Sequence, residues 1–466
     1  MKKILSSLSV LIKIVFIIIS LISIGLLEKV IPTNYLKVVI LVFSVIFGLN
    51  IISLLCKIKF IKIISNIFNI IAIIFLVLIS FYLLKTDDFI NKLKGNGLTE
   101  VYYLATLNKK EYNNIEDLDN HKIGVYYNNN KTYQEALKSI NETINTNIIN
   151  YEDLNLLTKS LLNSEIEAIL ISESSKKMIE EEFELVHIQL NYIYDVTTKT
   201  KLEEVAKDID VVKNPFIMYI SGIDTYGTID TVSRSDVNIL CVINPNTKKV
   251  LLLTIPRDYY VDIYSKNGKD KLTHAGVYGV DTSLRTIENL LNIDINYYLK
   301  VNFSTLINVV DEIGGINVYS PYTFNTYGVQ FNEGYNYMNG EQALAFSRAR
   351  KNFLAGDRTR GENQLRVIEA IIDKMVSSRD LITNYLNILN SLDSSFQTNL
   401  DSNRIYDLVK FQLFYMPKWN ISKYSLNGYD SSDYTISSKD SKRYVMVPNV
   451  NTINTAKQKI KEIMSN

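Results

Sequence analysis

Two aspartates twelve residues apart, Asp224 and Asp236, flank a single loop between apolar runs that read as strands, Asn214–Asp224 and Val237–Ile243. If those strands pair, the loop folds back and brings both carboxylates to one point. Converging carboxylates suit a hard divalent cation, Mg²⁺ or in its place Mn²⁺, which keeps several waters and takes phosphate oxygens as further ligands. Two aspartates that merely cap turns have the same spacing. A third strand, Val250–Ile255, ends in Pro256-Arg257-Asp258. Apolar strands that begin or end in Asp and Arg put charge where open α/β sheets bind ligands.

Further along the chain come more cations. Arg348 and Arg350 are two residues apart, so in an extended segment both point to one face. Arg360 and Gln364 are four apart at the start of a helix whose apolar stripe is Leu365, Ile368, Ile371, Ile372 and Met375. The free N–H groups and dipole of a helix start favour an anion, and the arginine fork matches two phosphate oxygens. With Arg234, Arg257 and Lys271, this region holds six such cations. Any one alone is an ordinary solvated charge; the set, joined to strand-end aspartates, points to phosphate. Asp236 and Asp258 are the nearest candidates for a general base. His274, one of three histidines, reads more simply as structural.

The elements that must position these residues divide the chain into four parts: 1–86, 87–205, 206–380 and 381–466. Apolar runs at Leu5–Leu27, Leu36–Cys56 and Ile63–Leu84 are each long enough to cross a hydrocarbon core of about 30 Å. Two further spans after the first argue against a cleavable signal peptide. Lys2 and Lys3, then Lys57, Lys59 and Lys62, place the N-terminus and the second loop in the cytoplasm and everything after Lys85 outside. The chain is therefore expected to be a multi-pass membrane protein with a large extracytoplasmic part. A formal net charge of +1 steers nothing to nucleic acid, and Cys56 and Cys241 are too few and too differently placed for a disulfide framework. Over residues 98–200, strands at Val101–Leu107, Lys122–Tyr127, Ile148–Tyr151 and Ala168–Ser172 alternate with helices at Tyr133–Thr143, Leu154–Leu162 and Ser174–Phe183. That order predicts a small parallel sheet with crossover helices, and nothing in it carries catalytic spacing.

Gly222-Ile-Asp224, Ser233-Arg-Ser-Asp236, Ile255-Pro-Arg-Asp258, Lys271-Leu-Thr-His274-Ala, Val309-Val-Asp-Glu-Ile-Gly-Gly315, Asn339-Gly-Glu-Gln-Ala343, Arg348-Ala-Arg350, Gly356-Asp357 and Gln364 together closely resemble the LytR-CpsA-Psr (LCP) family. The resemblance covers about Pro215–Ser378 and continues weakly to Tyr444-Val-Met-Val-Pro-Asn449 and a final helix. Three spans and an extra domain resemble the capsule-type branch. It implies an α/β chain: a three-layer αβα domain around a central mixed sheet, with a smaller α/β accessory domain and the three-helix anchor before it. It further implies an apolar pocket for a polyprenyl chain, and transfer of a teichoic acid, capsule or secondary wall polysaccharide from its polyprenyl-pyrophosphate carrier to peptidoglycan. By matching motifs, Asp224 and Asp236 would hold the cation. Arg257, Arg348, Arg350 and Gln364 would contact phosphate together with Arg234, Lys271 and Arg360, and Asp357 would position the arginines or the metal. Asp236, Arg257 and Asp357 form the expected catalytic set. The family often has Arg-Gln where this chain has Asn363-Gln364, which predicts one weaker phosphate contact.

Charge that develops on a departing lipid pyrophosphate would be met by preorganised cations. A membrane pyrophosphatase or phosphodiesterase would use the same site with water as acceptor, and a non-catalytic sensor or attenuator would bind without turnover. Conjugate, free polymer or no product in a reconstituted assay separates the three.

Overall fold

Helices surrounded by lipid are apolar on every side rather than along one stripe, and the first three helices have that character. They are α1 (Lys2–Val30), α2 (Thr33–Leu55) and α3 (Lys59–Lys92), each long and apolar enough to cross a membrane. The computed structural model describes residues 2–56, 58–93, 98–126, 131–183, 186–200, 207–225, 229–354, 356–377 and 395–465. Tyr127, residues 226–228 of the loop after Asp224 and residues 381–394 of the expected C-terminal part therefore lie outside the described residues. Between the spans, polar side chains pair with one another: Lys13 donates to the Ser9 and Ser53 hydroxyls, both at 3.3 Å, and Asn50 and Asn69 exchange amide hydrogen bonds of 3.0 and 2.7 Å. In hydrocarbon such groups need partners, and these serve to hold the helices together. The third helix runs past the expected boundary at residue 86, and its Asp87 accepts from Lys29 at 2.8 Å.

The accessory domain is built on β1 (Leu98–Leu107), β2 (Lys122–Tyr126), β3 (Asn147–Tyr151), β4 (Ala168–Ser172) and β5 (Leu190–Thr200), with helices α4 (Lys131–Asn141), α5 (Leu154–Leu162), α6 (Glu173–Glu182) and the short α7 (Val186–Gln189). Its sheet order is β3-β2-β4-β1-β5. Only β3, β2 and β4 run parallel; β1 pairs antiparallel with both β4 and β5. The expected all-parallel sheet is thus corrected to a mixed one. The polar, Tyr- and Thr-rich strand β5 forms an edge, where one-sided burial leaves little apolar alternation to read.

The second α/β domain contains β6 (Phe216–Ile223), β7 (Ser235–Asn244), β8 (Lys249–Thr254), β9 (Tyr260–Asp262), β10 (Lys269–Lys271), α8 (Leu272–Ala275), α9 (Val280–Leu291), β11 (Tyr297–Val301) and α10 (Phe303–Glu312). Next in the chain are β12 (Ile316–Ser320), β13 (Phe324–Thr326), β14 (Val329–Phe331), β15 (Gly334–Met338), α11 (Gly340–Arg348) and α12 (Asp357–Ser377). The chain ends with β16 (Gln397–Thr398), α13 (Ser402–Tyr415), β17 (Asn420–Ser425), β18 (Gly428–Thr435), β19 (Ser438–Pro448) and α14 (Val450–Met464). The central sheet has the order β16-β11-β6-β7-β8-β17 and mixes parallel and antiparallel pairs. Alternate residues of β7 and β8 face opposite ways. Leu240, Val242, Leu251 and Leu253 pack on α9 and α14, while Ile239, Cys241, Val250 and Leu252 pack on Leu365 of α12. That is the expected three-layer αβα arrangement, and β16 and β17 make the C-terminal segment part of its sheet. Both cysteines are free.

Candidate functional site

The hairpin of β6 and β7 supplies the loop that the two aspartates need. Gly222 faces Val237 and Ile223 faces Ser235, so Asp236 is the extra residue of a β-bulge. The bulge changes which face the side chain takes. Ser235 and Asn238 bond to the Tyr219 hydroxyl on the α9 side, at 2.9 and 2.6 Å, whereas Asp236 and Val237 both line a cleft on the α12 side. In unbroken alternation Asp236 would share a face with Asn238. Gly222 leaves room there, since a Cβ at that position would lie 2.6 Å from the Val237 Cβ.

The cleft holds about 470 Å³. Asp236 lies at its polar end, with one oxygen taking the Arg257 Nη1 at 2.9 Å and the other the Thr273 hydroxyl at 2.7 Å. Burial pushes the Asp236 carboxyl up, but the charges of Arg257, Arg234 and Arg360 and the Thr273 hydrogen bond outweigh it and pull the pKa down to about 2. With one oxygen on Arg257 and the other on Thr273, the carboxylate fixes both side chains beside the cleft. Arg257 sits just beyond β8, with Asp258 3.6 Å from its Nε, and Lys271 reaches Asp258 at 3.5 Å.

Arg360 and Gln364 project into the cleft from the first turns of α12. Asp357, the first residue of that helix, forms a close ion pair with Arg360 and lines a small recess behind the cleft together with Asp236, Arg257 and Gln364. Burial raises the Asp357 pKa; Arg360 opposes the rise, and the neighbouring Asp258 adds to it. Arg348 ends α11 and is not part of an extended segment, contrary to the strand-like expectation. The helix stops there because Ala349 turns to β geometry, and both Arg348 and Arg350 still line the cleft. The Arg348 guanidinium lies over the rings of Phe303 at 4.4 Å and Tyr327 at 5.2 Å, and 4.0 Å from Asp224.

Seven of the ten expected residues therefore line this one cleft: Asp224, Asp236, Arg257, Arg348, Arg350, Arg360 and Gln364. Asp357 lies in the recess behind. Lys271 and Arg234 are outside the cleft lining; Lys271 faces Asp258, and Arg234 is buried, acting on Asp236 through its charge. Asn363 also turns away, its amide donating to the Phe346 carbonyl and accepting from Arg366, so its difference from the family pattern does not alter the cleft wall. His274 is held by Asp270 at 2.7 Å and Ser437 at 3.2 Å, away from the cleft lining. Sequence reading missed the aromatic pair Phe303 and Tyr327, whose signal, an aromatic residue after an Asn cap and one at a tight turn, is common to many structural positions.

The rest of the cleft is apolar, with Ile368, Ile371, Ile372 and Met375 of α12 facing Leu306 and Phe396. The predicted stripe is divided: Leu365 enters the core and the other four residues line the cleft. Among the described residues no three His, Cys, Asp or Glu side chains are grouped to hold a metal. Asp224 and Asp236 are present at the polar end, but both Asp236 oxygens already accept hydrogen bonds. This donor set fits a cation carried on phosphate oxygens and touched by one or two carboxylates, as Mg²⁺ prefers, rather than a cage made by protein alone.

Guanidinium groups at one end of an otherwise greasy slot, beside the end of a mixed α/β sheet, define a class of site that takes a phosphate attached to a lipid. The chain belongs to the LytR_cpsA_psr family, whose model matches residues 186–461. It is 38% identical over 206 residues to a polyisoprenyl-teichoic acid–peptidoglycan teichoic acid transferase TagU of Enterococcus faecalis, covering 44% of this chain and 66% of that one. The TagU of Bacillus licheniformis is 35% identical over 217 residues, covering 46% and 70%. The match thus spans about two thirds of these relatives' length. The crystal structure of B. subtilis TagU superposes with a TM-score of 0.42 at 29% identity, covering 55% of this chain and 98% of that one.

Proposed function

We propose that this chain transfers a glycopolymer (a teichoic acid, capsule or secondary wall polysaccharide) from a polyprenyl-pyrophosphate carrier to a hydroxyl of peptidoglycan, on the outer side of the membrane. The observation that carries this reading is the continuity of the arginine end of the cleft with its apolar wall. A diphosphate bound by Arg257, Arg348, Arg350 and Arg360 leaves the isoprenoid against Ile368, Ile371 and Met375. The basic residues Lys2, Lys3, Lys57, Lys59 and Lys62, which flank the apolar runs, support the orientation.

As the acceptor oxygen bonds to the polymer-side phosphorus of the diphosphate, the P–O bond to the lipid-side phosphate breaks; the acceptor's proton leaves, and the electron pair goes to polyprenyl phosphate rather than to the whole pyrophosphate expected from sequence. Fixed arginines stabilise that charge without reorganising. Arg348 is stacked on two rings and Arg360 is braced by Asp357, so both are aimed before substrate arrives. Asp236 locks Arg257 and Thr273 in place. Mg²⁺ or Mn²⁺, where bound, would sit with Asp224 and Asp236 and supply further charge neutralisation. Asp258, the other base expected from sequence, pairs with Arg257 and Lys271 outside the linings of the cleft and recess.

Reconstitution of the full chain with lipid-linked polymer and peptidoglycan fragments tests the reading. Covalent conjugate is the expected product; free polymer with lipid phosphate would make the protein a hydrolase, and no turnover would make it a binding protein.

A further inference from the structure

The helix α13 is tied to the outer ends of the membrane spans along its length. Its first residue, Ser402, donates to Asn91 at 3.1 Å; Tyr406 donates to Asp87 at 3.0 Å; and Phe414 stacks on Tyr35 with ring centroids 4.7 Å apart. Three successive spans put the end of α1, the start of α2 and the end of α3 on one side of the bilayer. Tyr35 is the third residue of α2, where the chain enters the apolar run. The ring of Phe414 is therefore at the depth of the headgroups.

The residues just after Phe414 would be out of place in water. Tyr415 is 69% and Met416 74% exposed. Met416 adopts a left-handed conformation (φ 40°) that ends the helix, and Pro417 comes next. Trp419 turns back, its ring 6.0 Å from that of Phe411 and its Nε1 donating to Gln412 at 3.0 Å. Lys418 is exposed beside it. Earlier along the helix, Ile405 and Leu408 pack on the domain. Tyr, Trp and Lys next to exposed apolar groups are the composition that settles at a membrane interface.

The same junction reaches the cleft. Thr398 of β16 donates its N–H to the Leu93 carbonyl, immediately after α3, at 3.0 Å. Phe396, a wall of the cleft, is two residues away along the chain, about 7 Å of extended backbone. Leu299, another cleft residue, pairs with Thr398 across the sheet.

We propose that the segment Phe411–Trp419 is seated in the headgroup layer of the bilayer that α1–α3 span, and that this seating holds the apolar end of the cleft at the membrane surface. The second half rests on the lipid-carrier reading above. An isoprenoid then keeps most of its tail among acyl chains while its phosphates reach the arginines, and is never drawn wholly into water.

The only tryptophan in the chain, Trp419, is a built-in probe. The full chain is placed in phosphatidylethanolamine–phosphatidylglycerol vesicles, with and without brominated acyl chains, and tryptophan emission is read. Loss of emission in brominated lipid with protection from iodide is the expected result. Emission untouched by bromine and quenched by iodide overturns the proposal. A Trp419→Phe, Tyr415→Trp variant repeats the reading at the more exposed position and is expected to be quenched more strongly. Tyr415→Asp with Met416→Asp should reduce bromine quenching and raise the KM for lipid-linked polymer in vesicles. In detergent micelles its transfer rate and melting temperature should match the parent chain. An equal loss of transfer in micelles and vesicles would assign the segment to folding or catalysis and overturn the proposal, as would formation of dimers through this face in place of lipid contact. Bromine quenching without any transfer would uphold the seating and remove the transferase reading instead.

Discussion

Glu100 of the accessory domain and Asp236 of the second domain are carboxylates near the ends of strands, and the two meet opposite surroundings. Glu100 of the accessory sheet is 1% exposed and accepts from the hydroxyls of Tyr102 at 2.8 Å and Thr132. Burial raises its pKa, and the hydroxyls of Thr132, Tyr102 and Ser172 only moderate the rise. The Asp236 side chain is nearly as deeply placed, 11% exposed, yet the arginines around it overcome the burial and bring it to about 2. Burial alone thus does not single out the carboxylate at the cleft. The gathering of cations does, because Arg257 and Arg360 line the cleft as well as facing Asp236.

The largest effect that would sharpen this contrast is at Arg257. Arg257→Ala leaves Asp236 buried without its principal partner, which costs about 3–5 kcal/mol of stability, and should lower transfer by about 10²–10³-fold. A thermal melt with a transfer assay reads both; an unchanged melting temperature would mean that the pair is not coupled. Arg348 is one-third exposed and rests on aromatic rings. Arg348→Ala should therefore keep the fold while weakening pyrophosphate binding about tenfold to a hundredfold, the worth of a charge-assisted hydrogen bond, as calorimetry would show. Tyr327→Ala removes one of the two rings beneath that guanidinium and should cost about twofold to fivefold, the scale of an exposed cation–π contact. Glu100→Gln should leave transfer unchanged, and a clear loss would give the accessory domain a part in the reaction.

The same two residues separate in pH. Asp236 has a lowered folded pKa, so its contribution is present above the unfolded value of about 3.9 and is lost as pH falls towards about 2. Glu100 has a raised folded pKa, so its contribution is present below the unfolded value of about 4.3 and is lost as pH rises through the folded one. Melting curves of Asp236→Asn and Glu100→Gln against pH should accordingly depart from the parent in opposite directions: the first loses stability at neutral pH, the second gains it. Parallel curves would erase the contrast.

Much of the site was legible in the sequence because arginines at strand ends and helix starts have few other reasons to be grouped. The three spans were plain from hydropathy, and strands β6, β7 and β8 from uninterrupted apolar runs. Harder to read was anything decided by a single residue of register. The bulge at Asp236 changes its face without changing its spacing from Asp224. The helical end at Arg348 follows from packing of α11 on α10 and α12. In the accessory domain the antiparallel pairing of β1 depends on the distant, polar β5. The positions of Arg234 and Lys271 outside the cleft lining were equally invisible, since a cation that serves another side chain looks, in sequence, like one that serves a ligand.

On the proposed reading, the cleft grips a diphosphate at its arginine end and an isoprenoid along its apolar wall. Mass spectrometry of lipid retained by the chain purified from membranes tests it most directly, with the Arg348→Ala, Arg350→Ala double variant purified alongside. A polyprenyl phosphate or pyrophosphate is expected on the parent protein, with its loss from the double variant at unchanged melting temperature. Equal lipid on both proteins, or none on either after loading with polyprenyl pyrophosphate, would contradict it.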